Sequence, residues 1–202
     1  PWLGLDVSAD VPVVCICGPS AAGKTTFTAD VADRLRQQGR TPLLMACDDY
    51  YRSGWTPDPR FGFDTVDAID GEALSLDLAA ARYRQLQRLR TYDMRERRVG
   101  CRTVSFPYDV ILLEGAYGPQ LLVGVVPLAL LVYVDAWLPR RLLRRLKRDV
   151  IERKRTPQYV IRQMLAEMLP GERQFIHSLQ DHADVVIRSP ERDVTKVMAR
   201  IG

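Results

Sequence analysis

The sequence predicts an α/β fold, a doubly wound parallel sheet of five strands with helices on both faces, and three observations predict it. Five apolar runs bounded by turn residues are spaced along the chain, helical patterns separate most of them, and a glycine-rich turn joins the first run to the first helix. Strands apolar on both faces belong in a parallel sheet that helices cover on each side. The turn after the first run, Val11 to Cys17, reads Gly18-Pro19-Ser20-Ala21-Ala22-Gly23-Lys24-Thr25. It matches G-x-x-x-x-G-K-[ST] in full and lies between a strand and a helix, where its backbone N–H groups can wrap phosphates at a helix N-terminus. The fold expected is therefore that of the P-loop NTPases.

The remaining elements follow in order. A helix is predicted from Lys24 to Gln38, closed by Gly39, and a second strand from Pro42 to Cys47. A helix follows from Gly71 to about Leu89, then strands at Val110 to Leu113, Leu128 to Val134 and Ala183 to Ile187. Helices are predicted at Pro139 to Glu152 and Pro157 to Gln180, each with its proline in the first turn, where it is tolerated, and a last one from about Arg192. The least regular stretch, Thr91 to Pro107, is Arg-rich and is expected to leave the sheet and cover a substrate. With no repeats or linkers, residues 1–202 read as a single domain with a lid over about 145–157 and a substrate-covering segment over about 88–107.

Composition narrows the function. Lys and Arg number 29 against 25 acids, an excess that a polyphosphate pocket requires as much as nucleic acid does. No interleaving of aromatic and basic residues marks an RNA-binding surface, so a small anion is the expected partner. Cys15 and Cys17 face one side of a strand as packing residues, and with Cys47 and Cys101 they form neither a metal spacing nor a disulfide framework. The first ten residues lack the regions of a signal peptide and no apolar run is long enough to span a membrane, so a soluble cytoplasmic protein is expected.

The chemistry rests on a few side chains. Lys24 is placed to reach the β- and γ-phosphates of a nucleotide and Thr25 to hold Mg²⁺ through its hydroxyl. Gly18, Ser20, Ala21, Ala22, Gly23 and Thr26 complete the cradle. Asp48 and Asp49 end the second strand, where ligands of open α/β sheets collect; a carboxylate there can take the proton of a phosphate acceptor, and an Asx turn or helix cap is the plainer alternative. Glu114 ends the third strand in a position suited to Mg²⁺, or else is a solvated strand-end acid. Most of the basic run Arg140 to Arg155 reads as a solvated face, with a few arginines free to sit over the γ-phosphate; Arg153 and Arg155 lie beside the break before Pro157. His177 and His182 read as structural or surface residues.

Taken in order, GPSAAGKTT, CDDYYR, FDTVDAID, YDMRERR, VILLEG, RRLKRDVIERKRTP and ADVVI resemble the uridine/cytidine kinase branch of the phosphoribulokinase and uridine kinase family over nearly the whole chain. The resemblance implies transfer of the γ-phosphate of ATP or GTP, with Mg²⁺, to the 5′-hydroxyl of a pyrimidine ribonucleoside, and a homo-oligomer. By motif position, Asp48 is similar to that family's catalytic base, Tyr51 to the tyrosine after it, and Asp64 to the carboxylate that holds the ribose hydroxyls. Tyr92, Arg145, Arg148, Arg153, Arg155 and Gln163 match positions used for base, ribose or phosphate contacts.

Three departures stand out. Met94 replaces an aromatic residue and Arg97 falls where the family has a histidine that reads the pyrimidine. Lys154 stands where the lid commonly has glycine, and Gly115-Ala116-Tyr117-Gly118 where an aliphatic continuation is usual. Same-chemistry transfer to a sugar, sugar phosphate or other small alcohol is the alternative, suited by Arg88, Arg90, Arg95, Arg97, Arg98 and Arg102; a nucleotide-binding protein without transfer is a third reading, against which Asp48, Lys24 and Thr25 stand.

Overall fold

The computed structural model describes residues 10–105, 107–124 and 126–201; the expectation about a signal peptide, which concerns the first ten residues, falls outside them save at Asp10. Strand β1 (Val13–Cys17) is central, with β5 (Val110–Glu114) and β6 (Leu130–Val134) beside it, β2 (Pro42–Ala46) beyond β5 and β7 (Val185–Ile187) beyond β6. All five are parallel. Ile16 and Ala46 both pair with Glu114, so the carboxyl ends of β1, β2 and β5 finish level and deliver three following turns to one place.

Alternation along β1 divides the core. Val13, Cys15 and Cys17 pack with Leu74 and Leu78 of α2 (Gly71–Arg82) on one face, whereas Val14 and Ile16 pack with Phe27, Val31 and Leu35 of α1 (Lys24–Gln37) on the other. Val194 and Val197 of α7 (Pro190–Ile201) join the second cluster. The doubly wound arrangement thus follows directly from strands whose two faces are both apolar. Among the described residues no helix is long and apolar enough to cross a membrane.

Two predicted elements differ. Helix α2 stops at Arg82 instead of reaching Leu89, because Arg84 adopts a left-handed backbone (φ 56°) that ends the helix without the glycine that would have announced it. Leu89 lies instead on β3 (Arg88–Asp93), which pairs antiparallel with β4 (Arg98–Thr103); the stretch read as irregular is an ordered hairpin. The long helix predicted from Pro157 to Gln180 is interrupted: α4 (Pro157–Gln163), a π-helical turn at Met164–Met168, α5 (Leu169–Gly171), a second π turn at Glu172–Ile176 and α6 (Leu179–His182). Pro170 sits inside this run, has no N–H to give and crowds the carbonyl one turn back; wider π turns absorb both defects.

Candidate functional site

A cavity of about 900 Å³ opens over the carboxyl ends of the sheet. Its wall includes Ser20 to Thr26, Asp48, Tyr51, Asp64, Tyr92, Arg97, Glu114, Arg145, Arg148, Arg153, Arg155 and Gln163. Most of the candidate residues read from the sequence are therefore in one place, but Asp49, Arg88, Arg90, Arg95, Arg98 and Arg102 do not line the cavity, and Gly18 supports the loop from below: a Cβ there would stand 2.3 Å from the Val134 carbonyl oxygen. The close approach of loop to β6 is available to glycine alone. Gly23, with φ 102°, turns the chain into α1.

At the phosphate loop, the largely buried Lys24 donates from Nζ to the Pro19 carbonyl (3.0 Å). The Thr25 hydroxyl lies 3.1 Å from each oxygen of Glu114. Burial pushes the Glu114 carboxyl up, Lys24 opposes the shift and Asp48 adds to it. A hydroxyl and a carboxylate are the hard oxygen donors that Mg²⁺ accepts, and that ion commonly takes one or two protein ligands and fills the rest of its shell with water and phosphate. The residues present fit it.

The two adjacent acids have different surroundings. Both lie on the 3₁₀ turn Cys47–Tyr50 that follows β2. Asp48 is exposed to the cavity. Half-buried Asp49 accepts the Tyr92 N–H (3.0 Å), and Arg90 from β3 donates to the carbonyls of Asp49 (3.1 Å) and Tyr51 (2.9 Å). The hairpin is thereby fastened to the turn that presents Asp48. Burial raises the Asp49 carboxyl and the Tyr92 amide opposes that shift.

Farther from the loop, Tyr51 and Tyr92 face each other with ring centroids 5.9 Å apart. Asp64 receives both terminal nitrogens of Arg145, each at 3.1 Å, a two-pronged pair whose arginine is buried. Arg97 has a left-handed backbone (φ 55°), and its guanidinium lies 4.7 Å above the Phe63 ring. The His182 Nδ1 contacts its own helix carbonyl at Ser178, and neither histidine lines the cavity.

Asp149 organises the basic run at the end of α3 (Leu138–Ile151). It is fully buried and pairs with Arg148 (3.0 Å), Arg153 (3.5 Å), Arg155 (3.6 Å) and Arg145 (3.8 Å), while Arg155 also donates to Gln163 Oε1 (3.1 Å). These arginines converge on the cavity because they share one anion, not because a solvated helix face turns that way. Lys154 between them has φ 56°. Lys154→Gly is expected to raise stability by about 1 kcal/mol, read by chemical denaturation, since a β-carbon is strained in that conformation.

A second buried acid was not visible as a site residue in the sequence. Glu172, on the π turn, accepts the Ser20 N–H (2.9 Å) and a double hydrogen bond from Arg141 of α3 (2.8–3.0 Å). It ties the phosphate loop to the arginine helix. Next to it, Gly171 packs so closely that a Cβ would stand 2.3 Å from the Asp64 carbonyl oxygen. Glu172→Gln, which keeps the shape and loses the charge, is expected to destabilise the fold by about 2 kcal/mol in a thermal or urea titration.

A model of the phosphoribulokinase / uridine kinase family matches residues 13–195. A uridine kinase of Staphylococcus epidermidis is 34% identical over 190 residues, covering 92% of this chain and 90% of the relative. That of Staphylococcus haemolyticus is 33% identical over 194 residues, covering 94% and 92%. Among solved structures, one titled a possible uridine kinase from Bacillus stearothermophilus superposes with a TM-score of 0.62 at 20% identity, over 89% of this chain and 90% of that one, which shows the fold.

Proposed function

The chain belongs to the phosphoribulokinase/uridine kinase family and is a phosphotransferase of the kinase class, and from that premise we propose that it moves the γ-phosphate of ATP or GTP to the 5′-hydroxyl of uridine or cytidine, the step of pyrimidine salvage that makes the monophosphate. The observation that carries this reading is the meeting, in one cavity, of the phosphate loop, the exposed carboxylate of Asp48 and the diol-sized carboxylate of Asp64.

On this reading the loop Ser20 to Thr26, through amides other than that of Ser20, which Glu172 occupies, and the Lys24 ammonium hold the β- and γ-phosphates. Thr25 and Glu114 hold Mg²⁺, which neutralises charge on the phosphate oxygens when bound. Arg148, Arg153 and Arg155 close over the transferring group, in an order set by Asp149. Asp48 accepts the proton of the attacking hydroxyl. Asp64 accepts hydrogen bonds from the ribose diol, held in orientation by Arg145. Tyr51, Tyr92 and Arg97 flank the base, and Gln163 steadies Arg155. A reducing cytoplasmic setting, which four unpaired thiols suit, and a homo-oligomeric state belong to the same proposal, as does a lid over about 145–157 and a cover over about 88–107.

A sugar or sugar phosphate acceptor is the second reading. It is favoured by Arg97, which lines the cavity with its guanidinium over the Phe63 ring. Steady-state ADP release with Mg²⁺-ATP against uridine, cytidine, purine nucleosides, pentoses and pentose phosphates separates the two. Turnover with pyrimidine nucleosides is the expected result; turnover confined to pentoses or their phosphates would replace the first reading by the second.

A further inference from the structure

Ser20 of the phosphate loop is held at all three of its polar atoms by groups that lead across the cavity. Its N–H donates to Glu172 Oε1 (2.9 Å), its carbonyl accepts from Arg141 Nη1 (3.1 Å) and its hydroxyl lies 3.3 Å from Arg145 Nη1. Arg141 also grips the Glu172 carboxylate with both terminal nitrogens at 2.8–3.0 Å. Glu172, Arg141 and Arg145 are all buried, and a satisfied polar network away from water is rigid.

Two routes run from Ser20 to Asp64, whose side chain lines the same cavity. One is Arg145, which reaches the Asp64 carboxylate with both terminal nitrogens (3.1 Å each) but meets Ser20 only through the longer contact to its hydroxyl. The other is the chain itself. Glu172 follows Gly171, which packs on the Asp64 carbonyl so closely that no Cβ would fit between them. A shift of Ser20 is therefore passed by a short buried bond to Glu172 and by backbone contact to the turn that Asp64 closes with its N–H on the Phe61 carbonyl (2.7 Å). We propose that Glu172 is a positioning residue that carries occupancy of the phosphate loop to residues 61–66. A polyphosphate that orders the loop orders Ser20, and through Glu172 the wall that bears Asp64, so the cost of ordering that wall is met before the acceptor arrives. The inference rests on the nucleotide-binding part of the reading given above and on no particular acceptor.

Amide hydrogen exchange read by mass spectrometry, with and without Mg²⁺ and β,γ-methylene-ATP, tests the proposal. In the parent the nucleotide is expected to slow exchange both in the loop, 18–26, and in 61–66, the latter by about fivefold or more, the lower end of ordinary couplings between sites. Glu172→Gln keeps the shape of the side chain and removes its charge. Protection of the loop should remain in that variant, while protection of 61–66 falls away. Arg141→Lys leaves Glu172 charged but takes away the fork that orients it. It is expected to reduce the protection of 61–66 as well, and it stands in if Glu172→Gln is too unstable to measure. A merely structural role for Glu172 would speed exchange of 61–66 with and without nucleotide alike and leave their ratio as in the parent. That result overturns the proposal and assigns the link to Arg145. A parent in which the nucleotide protects the loop and not 61–66 overturns it too, with the kinase reading intact. No protection of the loop itself would overturn the nucleotide-binding reading, and the inference with it.

Discussion

An Asp48→Asn variant will bind Mg²⁺-ATP as the parent does and turn over its acceptor about 10²-fold more slowly, or worse. The side chain is exposed and faces the cavity. The amide preserves its size and polarity and removes only the ability to take a proton. The proposed donor contacts lie elsewhere, on the phosphate loop and α1. Asp48 is also one of the charges that raise the Glu114 carboxyl, so its loss does not weaken the proposed metal ligand. Asp49→Asn is the control. An amide there still accepts the Tyr92 N–H, and turnover should change only a few-fold. Rapid kinetics paired with calorimetric ATP binding checks both variants, and the reverse ranking would assign the proton acceptor to Asp49.

Asp149→Ala will cost about 3–5 kcal/mol of stability, a fall of roughly 10 °C in Tm for a chain of this size. Asp149 is fully buried, and four guanidiniums lie within 3.8 Å of it. Removing one carboxylate leaves like charges crowded around an empty site. That is the expensive direction of editing a buried ion pair. If, as proposed, a polyphosphate supplies anionic oxygens to some of the same arginines, Mg²⁺-ATP should raise the Tm of the variant by more than it raises that of the parent at equal saturation. Scanning calorimetry with and without nucleotide measures both. A variant that melts with the parent would show the arginines to be independently held.

Much of this was legible in the sequence for definite reasons. Buried parallel strands are nearly uniform in hydrophobicity, so Val13 to Cys17 and Val110 to Leu113 could be read directly, and Lys24 and Thr25 follow from a turn whose chemistry fixes its spelling. The β3–β4 hairpin was hidden because arginines occupy its exposed positions and because Arg84, not a glycine, ends the helix before it. Pro170 was visible, but its consequence was not, since π turns have no pattern of their own. Asp48 and Asp49 look alike as neighbours; only Tyr92, delivered by the hairpin, tells them apart. Asp149 was lost in a charge run. Glu172 meets Ser20 across 152 residues of chain, so no local signal marks it; a lone acid on the buried face of a helix that touches a basic one was the only clue available.

The measurement that bears most directly on the account is a single-turnover reaction with ATP radiolabelled in the γ-phosphate, Mg²⁺ and uridine, resolved by chromatography. Label is expected in the 5′-monophosphate of uridine, formed in step with ADP and lost in Asp48→Asn. Label released only as inorganic phosphate, or monophosphate formed equally well by Asp48→Asn, would contradict it.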